Sequence, residues 1–311
     1  MAPVVVALVL SAAPVELQVS HRRVSAPDGV ALAVYRYQRP GVVSSLPPVV
    51  LVPDVGFSRA AWDFEGRGLA RWLSASGRLV YVVELRGQGK AGPGLSLEPM
   101  ATVDLPAVLD ALKLERVDLV VHGWAGSLLL AAHGQSARIR RVVALNTPFL
   151  AAPPSALATA FLADGGRFST LASSPSGART FHELFALWAE LPSGTEQAFL
   201  SNGTRDLSRP VAAELLAWMN TGDRPLGGQS LSARLAALDR PTLLLLGLAD
   251  GFAPPEQCAV LRERARGPVD LHTFSRAEGG EDFSHLSMLL GREAPKKVFP
   301  RIGAFLAEAA P

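Results

Sequence analysis

The chain has 311 residues, and its 49% hydrophobic and 19% charged content excludes disorder for the bulk of it. A formal charge of +2 is close to neutral, and with no arginine cluster interleaved with aromatic residues it gives no footprint for nucleic acid. The single cysteine, Cys258, excludes an internal disulfide and a cysteine-built metal site. Residues 1–14, MAPVVVALVLSAAP, are too short to span a bilayer as a helix. They read as a loose apolar segment or as a secretory leader with a small-residue cleavage site near Ser11–Ala13. Because no lysine or arginine precedes the apolar run, a cytoplasmic location is favoured over export.

From Val15 onward short β-branched runs alternate with helical stretches. Val15–Val19 and Ala31–Tyr37 read as strands around a turn at Pro27-Asp28-Gly29. The runs Pro48–Val52, Leu79–Leu85, Val117–His122 and Arg141–Leu145 are almost continuously apolar, as expected of strands buried on both faces of a parallel sheet. Trp62–Ser74, Asp104–Leu114 and Gly126–Gly134 suit the helices between them. Two more strands, Pro241–Leu248 and Val269–Phe274, and a helix over Ala294–Ala309 follow. Between Leu150 and Arg234 no strand is predicted. Phe181, Phe185 and Trp188 fall there at i, i+4 and i+7, one helical face, which packs on the main domain, lines a pocket, or does both.

The predicted class is therefore α/β, and in such sheets ligands bind beyond the carboxyl ends of the strands. Five stretches at those ends resemble the α/β-hydrolase superfamily over about residues 15–311. VVLVPDVGFSRAAWDF at Val49–Phe64 is similar to the strand and oxyanion loop of lipases and esterases, and ELRGQG at Glu84–Gly89 to the family's acidic-x-Arg-Gly-x-Gly turn. Val117–Gly134 is similar to the strand–turn–helix of the nucleophile. Gly247–Pro254 is similar to the loop of the catalytic acid, which implies Asp250, and His285 with the segment after it resembles the catalytic histidine and last helix, most like the acid-lipase branch. The resemblance implies a mostly parallel eight-stranded-type sheet over 15–150 and 233–311, a helical cap over 151–232, and no cofactor.

The match breaks at the nucleophile. The family pattern is Gly-x-Ser-x-Gly on a sharp strand-to-helix turn. This chain reads Val121-His122-Gly123-Trp124-Ala125, with Gly123 at the nucleophile position. Neither register supplies a hydroxyl, thiol or carboxylate, Ser127 lies too deep in the helix, and Cys258 belongs to another loop. The backbone N–H groups of Val55 and Trp124 are the expected oxyanion donors. Asp54 either opposes a developing negative charge beside them or points away as a solvated turn residue.

Asp250 and His285 remain as a dyad, vestigial or able to act as a general base. His122, just before the elbow, reads as a packing and hydrogen-bonding residue, and Trp124 as pocket wall or core. His21, His133, His182 and His272 show no metal-ligand spacing. Three readings follow: an inactive or weak hydrolase that keeps a pocket for an apolar or acyl ligand; an enzyme using the Asp250–His285 dyad as a hydrolase, lyase or cofactor-free oxygenase; or a partner-binding scaffold. The sequence leaves the oligomeric state open.

Overall fold

The computed structural model describes residues 16–149, 154–185, 191–276 and 282–308. The apolar segment 1–14 and Trp188 lie outside them. An eight-stranded sheet is built from β1 (Gln18–Ser25), β2 (Ala31–Gln38), β3 (Val49–Val52), β4 (Val80–Glu84), β5 (Val117–His122), β6 (Ile139–Leu145), β7 (Thr242–Gly247) and β8 (Val269–Phe274), in the order β1-β2-β4-β3-β5-β6-β7-β8. β2 pairs antiparallel with β1 and β4, and the remaining pairs are parallel.

Every residue of β3, β4, β5, β6 and β7 is buried, which is why these runs are apolar at consecutive positions. β1 departs from the expectation of Val15–Val19. It runs from Gln18 to Ser25 and is exposed at all but one position, so its polar sequence carries no periodic signal and backbone pairing with β2 alone defines it. The charged residue inside β5, Asp118, is gripped by Arg78 (2.6 Å) and by Arg140 of β6 (2.7 and 2.8 Å). Both guanidinium groups also donate to the Leu306 carbonyl, fastening the C-terminal helix beneath the sheet. A buried charge is tolerated when paired and hydrogen-bonded in this way.

Helices cover the sheet: α1 (Leu69–Ala75), α2 (Leu105–Ala111) and α3 (Gly123–His133) in the first half, and α9 (Leu231–Ala236), α10 (Pro255–Arg264) and α11 (Phe299–Ala307) in the second. Between β6 and β7 the chain forms α4 (Ala156–Ala163), α5 (Phe168–Ala172), α6 (Pro175–Phe185), α7 (Thr195–Asn202) and α8 (Arg209–Thr221), with a short hairpin at Pro225–Ser230. α8 has legible ends: the Ser208 side chain accepts from Val211 N–H, Pro210 occupies the first turn, and Gly222 closes it at φ 78°.

This insert packs over the strand ends. Arg205 N–H donates to the Gly56 carbonyl (2.7 Å), its guanidinium reaches the Gly89 and Ala91 carbonyls (3.1 and 2.6 Å), and Leu286 N–H donates to the Phe185 carbonyl (2.7 Å). Within it, Glu196 is buried with His182 Nδ1 3.4 Å from Oε2, and neither carboxylate oxygen accepts a hydrogen bond among the described residues. Burial pushes its pKa up to about 7. The folded state thus disfavours its ionised form, at a cost that grows above the unfolded pKa and is complete above about pH 7. Glu196→Gln is expected to stabilise the chain by about 1–3 kcal/mol at pH 8 and by almost nothing at pH 4.5, read from urea midpoints.

Candidate functional site

The strand ends bring Asp54, Asp250, His285, Gly123 and Val55 to one place, with Trp124 beside them. The loop after β3 carries Asp54 and is clamped from beneath. Gln88, in the turn after β4, donates its amide to the carbonyls of Pro53 (2.7 Å) and Asp54 (3.1 Å) while accepting from Leu85 N–H (2.8 Å). Glu84 holds the same turn to the loop through Arg59 N–H (2.6 Å) and Lys90 N–H (2.7 Å). The acidic-x-Arg-Gly-x-Gly turn therefore acts as a brace for Asp54.

Asp250 follows β7, where its Oδ1 accepts from the N–H groups of Phe252 (2.8 Å) and Ala253 (2.7 Å), leaving Oδ2 for His285 Nδ1 at 2.7 Å. His285 sits in the turn after β8, between the Ser284–Ser287 hydrogen bonds and the Leu286 contact with the insert. Gly247 lets the two segments meet: a Cβ there would lie 2.0 Å from the Phe283 carbonyl oxygen.

At the elbow Gly123 stands at φ +58°, left-handed backbone that glycine adopts freely. A Cβ at this position would lie 2.0 Å from Asp54 Oδ2 and 2.1 Å from its Cγ. The Asp54 carboxylate thus fills the space where a side chain at the elbow would stand. Its Oδ2 meets His285 Nε2 at 3.0 Å, and its Oδ1 accepts from the N–H groups of Val55 (2.7 Å) and Ala125 (2.9 Å).

The two alternatives for Asp54 resolve here. Asp54 is buried and turned into the site, where the imidazole and two N–H groups satisfy it, and is no solvated turn residue. The N–H groups that Asp54 engages are those of Val55 and Ala125. Trp124 is core wall: its indole donates to the Phe252 carbonyl (3.3 Å), packs edge-on against Trp218, and borders a cavity of about 50 Å³.

Charge follows from this geometry. Burial works against a protonated His285, but Asp250 first and Asp54 second outweigh it and hold its pKa up at about 9. At neutral pH His285 is an imidazolium donating from both nitrogens, flanked by two carboxylates. His122 packs against it, with ring centroids 4.1 Å apart, and burial holds its pKa well below the usual value, so that ring is neutral. Its Nε2 donates to the His285 carbonyl oxygen (3.1 Å), in keeping with a packing and hydrogen-bonding role.

Phe57, Phe185 and Phe252 surround the imidazole, with ring centroids 5.7–5.9 Å from it. Phe57 and Phe252 were not expected at the site. The only sequence clue was their position, three residues past Asp54 and two past Asp250. Phe181 is also buried, against Phe185.

The profile of the alpha/beta hydrolase family matches residues 49–300. This chain belongs to the alpha/beta hydrolase family. Solved structures agree on the fold. A hydrolase from Pseudomonas aeruginosa PA01 is 20% identical and superposes with a TM-score of 0.67, over 93% of this chain and 99% of that one. The enol-lactonase from Burkholderia xenovorans LB400 is 17% identical, with a TM-score of 0.69 over 92% and 100% of the two chains. An esterase from Exiguobacterium antarcticum is 20% identical, with a TM-score of 0.69 over 92% and 99%. No curated protein matches the sequence. No helix among the described residues is long and apolar enough to cross a membrane.

Proposed function

We propose that this hydrolase-family protein has lost serine-type ester hydrolysis and serves to bind an apolar small molecule, with residues 151–232 as its cap. The observation that carries the reading is the Asp54 carboxylate in the space above Gly123, paired with His285 and holding the N–H groups of Val55 and Ala125. The attacking oxygen is missing, the histidine is tied up, and the oxyanion donors are spent. A general-base role for the Asp250–His285 dyad is less well supported, because a base must be unprotonated when it acts and His285 is held as an imidazolium. A scaffold role is less well supported, because no side chain of the cap is among the exposed large hydrophobics of the described residues. They are Val19, Val43, Leu95 and Leu248.

The ligand's best seat is a groove of about 310 Å³ lined by Phe64, Pro192, Leu289, Leu290 and Phe299, with Arg67 and Arg292 also in its wall. Apolar walls with cationic side chains suit an apolar molecule bearing one anionic group, such as a medium-chain carboxylate. Nitrophenyl ester turnover is expected to be no higher in the wild type than in His285→Ala. A fluorescent apolar anion, anilinonaphthalene sulfonate, is expected to bind, to be displaced by octanoate, and to bind at least tenfold more weakly to Leu290→Asp. Wild-type turnover that vanishes in His285→Ala would overturn the loss of catalysis. Probe binding untouched by Leu290→Asp would overturn the groove.

A further inference from the structure

The centre of the strand ends holds more ligating chemistry than a vestigial dyad requires. We propose that Asp54, His122 and His285 form a site for one divalent transition-metal ion, with Asp250 as a positioning residue behind His285. One donor atom from each of the three side chains lies within 4.8 Å of the others, and all three are buried.

The independent sign is His122. Its ring has no solvent exposure and its Nε2 is committed to the His285 carbonyl, yet its Nδ1 has no hydrogen-bond partner among the described residues. Buried polar atoms are almost always satisfied, so an orphaned nitrogen on a ring that packs against a second imidazole, within a group whose donor atoms lie together, points to something that accepts its lone pair.

Charge points the same way. Asp54 and Asp250 bring two carboxylates into a wall of phenylalanines, one on each nitrogen of His285. A dication held by neutral imidazoles balances both. The Asp250–His285 contact is the arrangement in which a carboxylate fixes a ligating histidine: Nδ1–H donates to Asp250, and Nε2 faces Asp54. On binding, the Nε2 proton leaves to solvent and the nitrogen lone pair replaces the N–H contact with the carboxylate. Two imidazole nitrogens and one carboxylate oxygen favour zinc, cobalt or iron over magnesium or calcium, which prefer all-oxygen sets. Gly123 fits this account, because only a residue without a side chain leaves Asp54 room to stand beside both histidines.

The inference does not rest on the ester reading, since the metal alone is the probe and binding is the readout. The full chain, stripped with chelator and dialysed, is titrated with Co²⁺ and separately with Zn²⁺. One equivalent of each is expected to bind at micromolar concentration or below, with a visible Co²⁺ ligand-field band and release of a proton. His122→Gln and Asp54→Asn are each expected to weaken binding at least tenfold, and Asp250→Asn by about 10–100-fold through its hold on His285. Glu196→Gln, remote in the insert, is expected to bind as the wild type does. Circular dichroism melts identify any variant that fails to fold, and the wild-type Co²⁺ spectrum and stoichiometry then decide alone. No band and no stoichiometric Zn²⁺ would overturn the site, as would wild-type affinity in folded His122→Gln and Asp54→Asn.

Discussion

A serine placed at position 123 is expected to leave ester turnover absent and to cost about 3–5 kcal/mol of stability, the range for breaking a buried ion pair by disturbing one partner. Restoring the missing oxygen beside the Asp250–His285 dyad looks like the obvious repair. The structure shows why the repair fails: the new Cβ would lie 2.0 Å from Asp54 Oδ2, and its hydroxyl would compete for the same His285 Nε2. Either the serine leaves the turn or Asp54 swings away from the N–H groups of Val55 and Ala125. The conflict makes Asp54 and Gly123 one unit, which a double-mutant cycle can measure. Asp54→Gly alone removes a partner of His285 and destabilises. Combined with Gly123→Ser it vacates the space the serine needs, so the double variant is expected to be more stable than the sum of the two single changes by at least 1 kcal/mol, the size typical of residues in contact. Urea midpoints for the four proteins give the coupling. Additive costs, or turnover in Gly123→Ser alone, would mean that Asp54 leaves the elbow freely and that the site is not blocked.

That unit marks the limit of what the sequence discloses. The central strands were legible because burial on both faces leaves a continuous apolar run, and Val117–His122 falls where expected; the edge strand Val269–Phe274 also does, although only Phe274 in it is buried. Asp250 was legible because it closely follows a recognisable strand, and His285 because it lies between the last strand and the last helix with the segment after it resembling the family. The replacement at the elbow was only half legible. Gly123 reads as a loss, and nothing near it in the chain says that a carboxylate from the loop after β3 has taken over its space. That compensation exists only once β3 and β5 lie side by side. The choice between an inward and a solvated Asp54 turns on Gln88 and Glu84, whose brace is also invisible in one dimension. Edge strand β1 and helix α10 were missed or misplaced for a related reason. The strand is exposed along nearly its whole length, and the helix carries charged residues around much of its circumference, so neither shows the periodicity that burial imposes.

The stability of the metal-free chain is expected to fall as pH rises from about 6.5 through about 9, and Asp54→Asn is expected to flatten that decline. The imidazole titrates near 6.5 when unfolded and near 9 between its two carboxylates, so the folded state binds the proton more tightly. Its contribution is therefore fully present below about pH 6.5 and lost as pH climbs through 9. The difference corresponds to on the order of 3 kcal/mol. Glu196 acts in the same direction but over an earlier window, ending near pH 7, so Glu196→Gln serves as the background in which His285 is read. In Asp54→Asn the amide oxygen still accepts from Val55 and Ala125, while the negative charge facing Nε2 is gone. His285 then has Asp250 alone to hold its proton, and its pKa falls. Urea midpoints between pH 6 and 10 measure the decline, and the His285 ring proton shifts locate the titration by magnetic resonance. A wild-type profile flat above pH 7.5, or a His285 that titrates near 6.5, would mean that the two aspartates do not hold the imidazole between them. The blocked elbow and the paired charges stand or fall together, because one carboxylate oxygen, Asp54 Oδ2, makes both contacts.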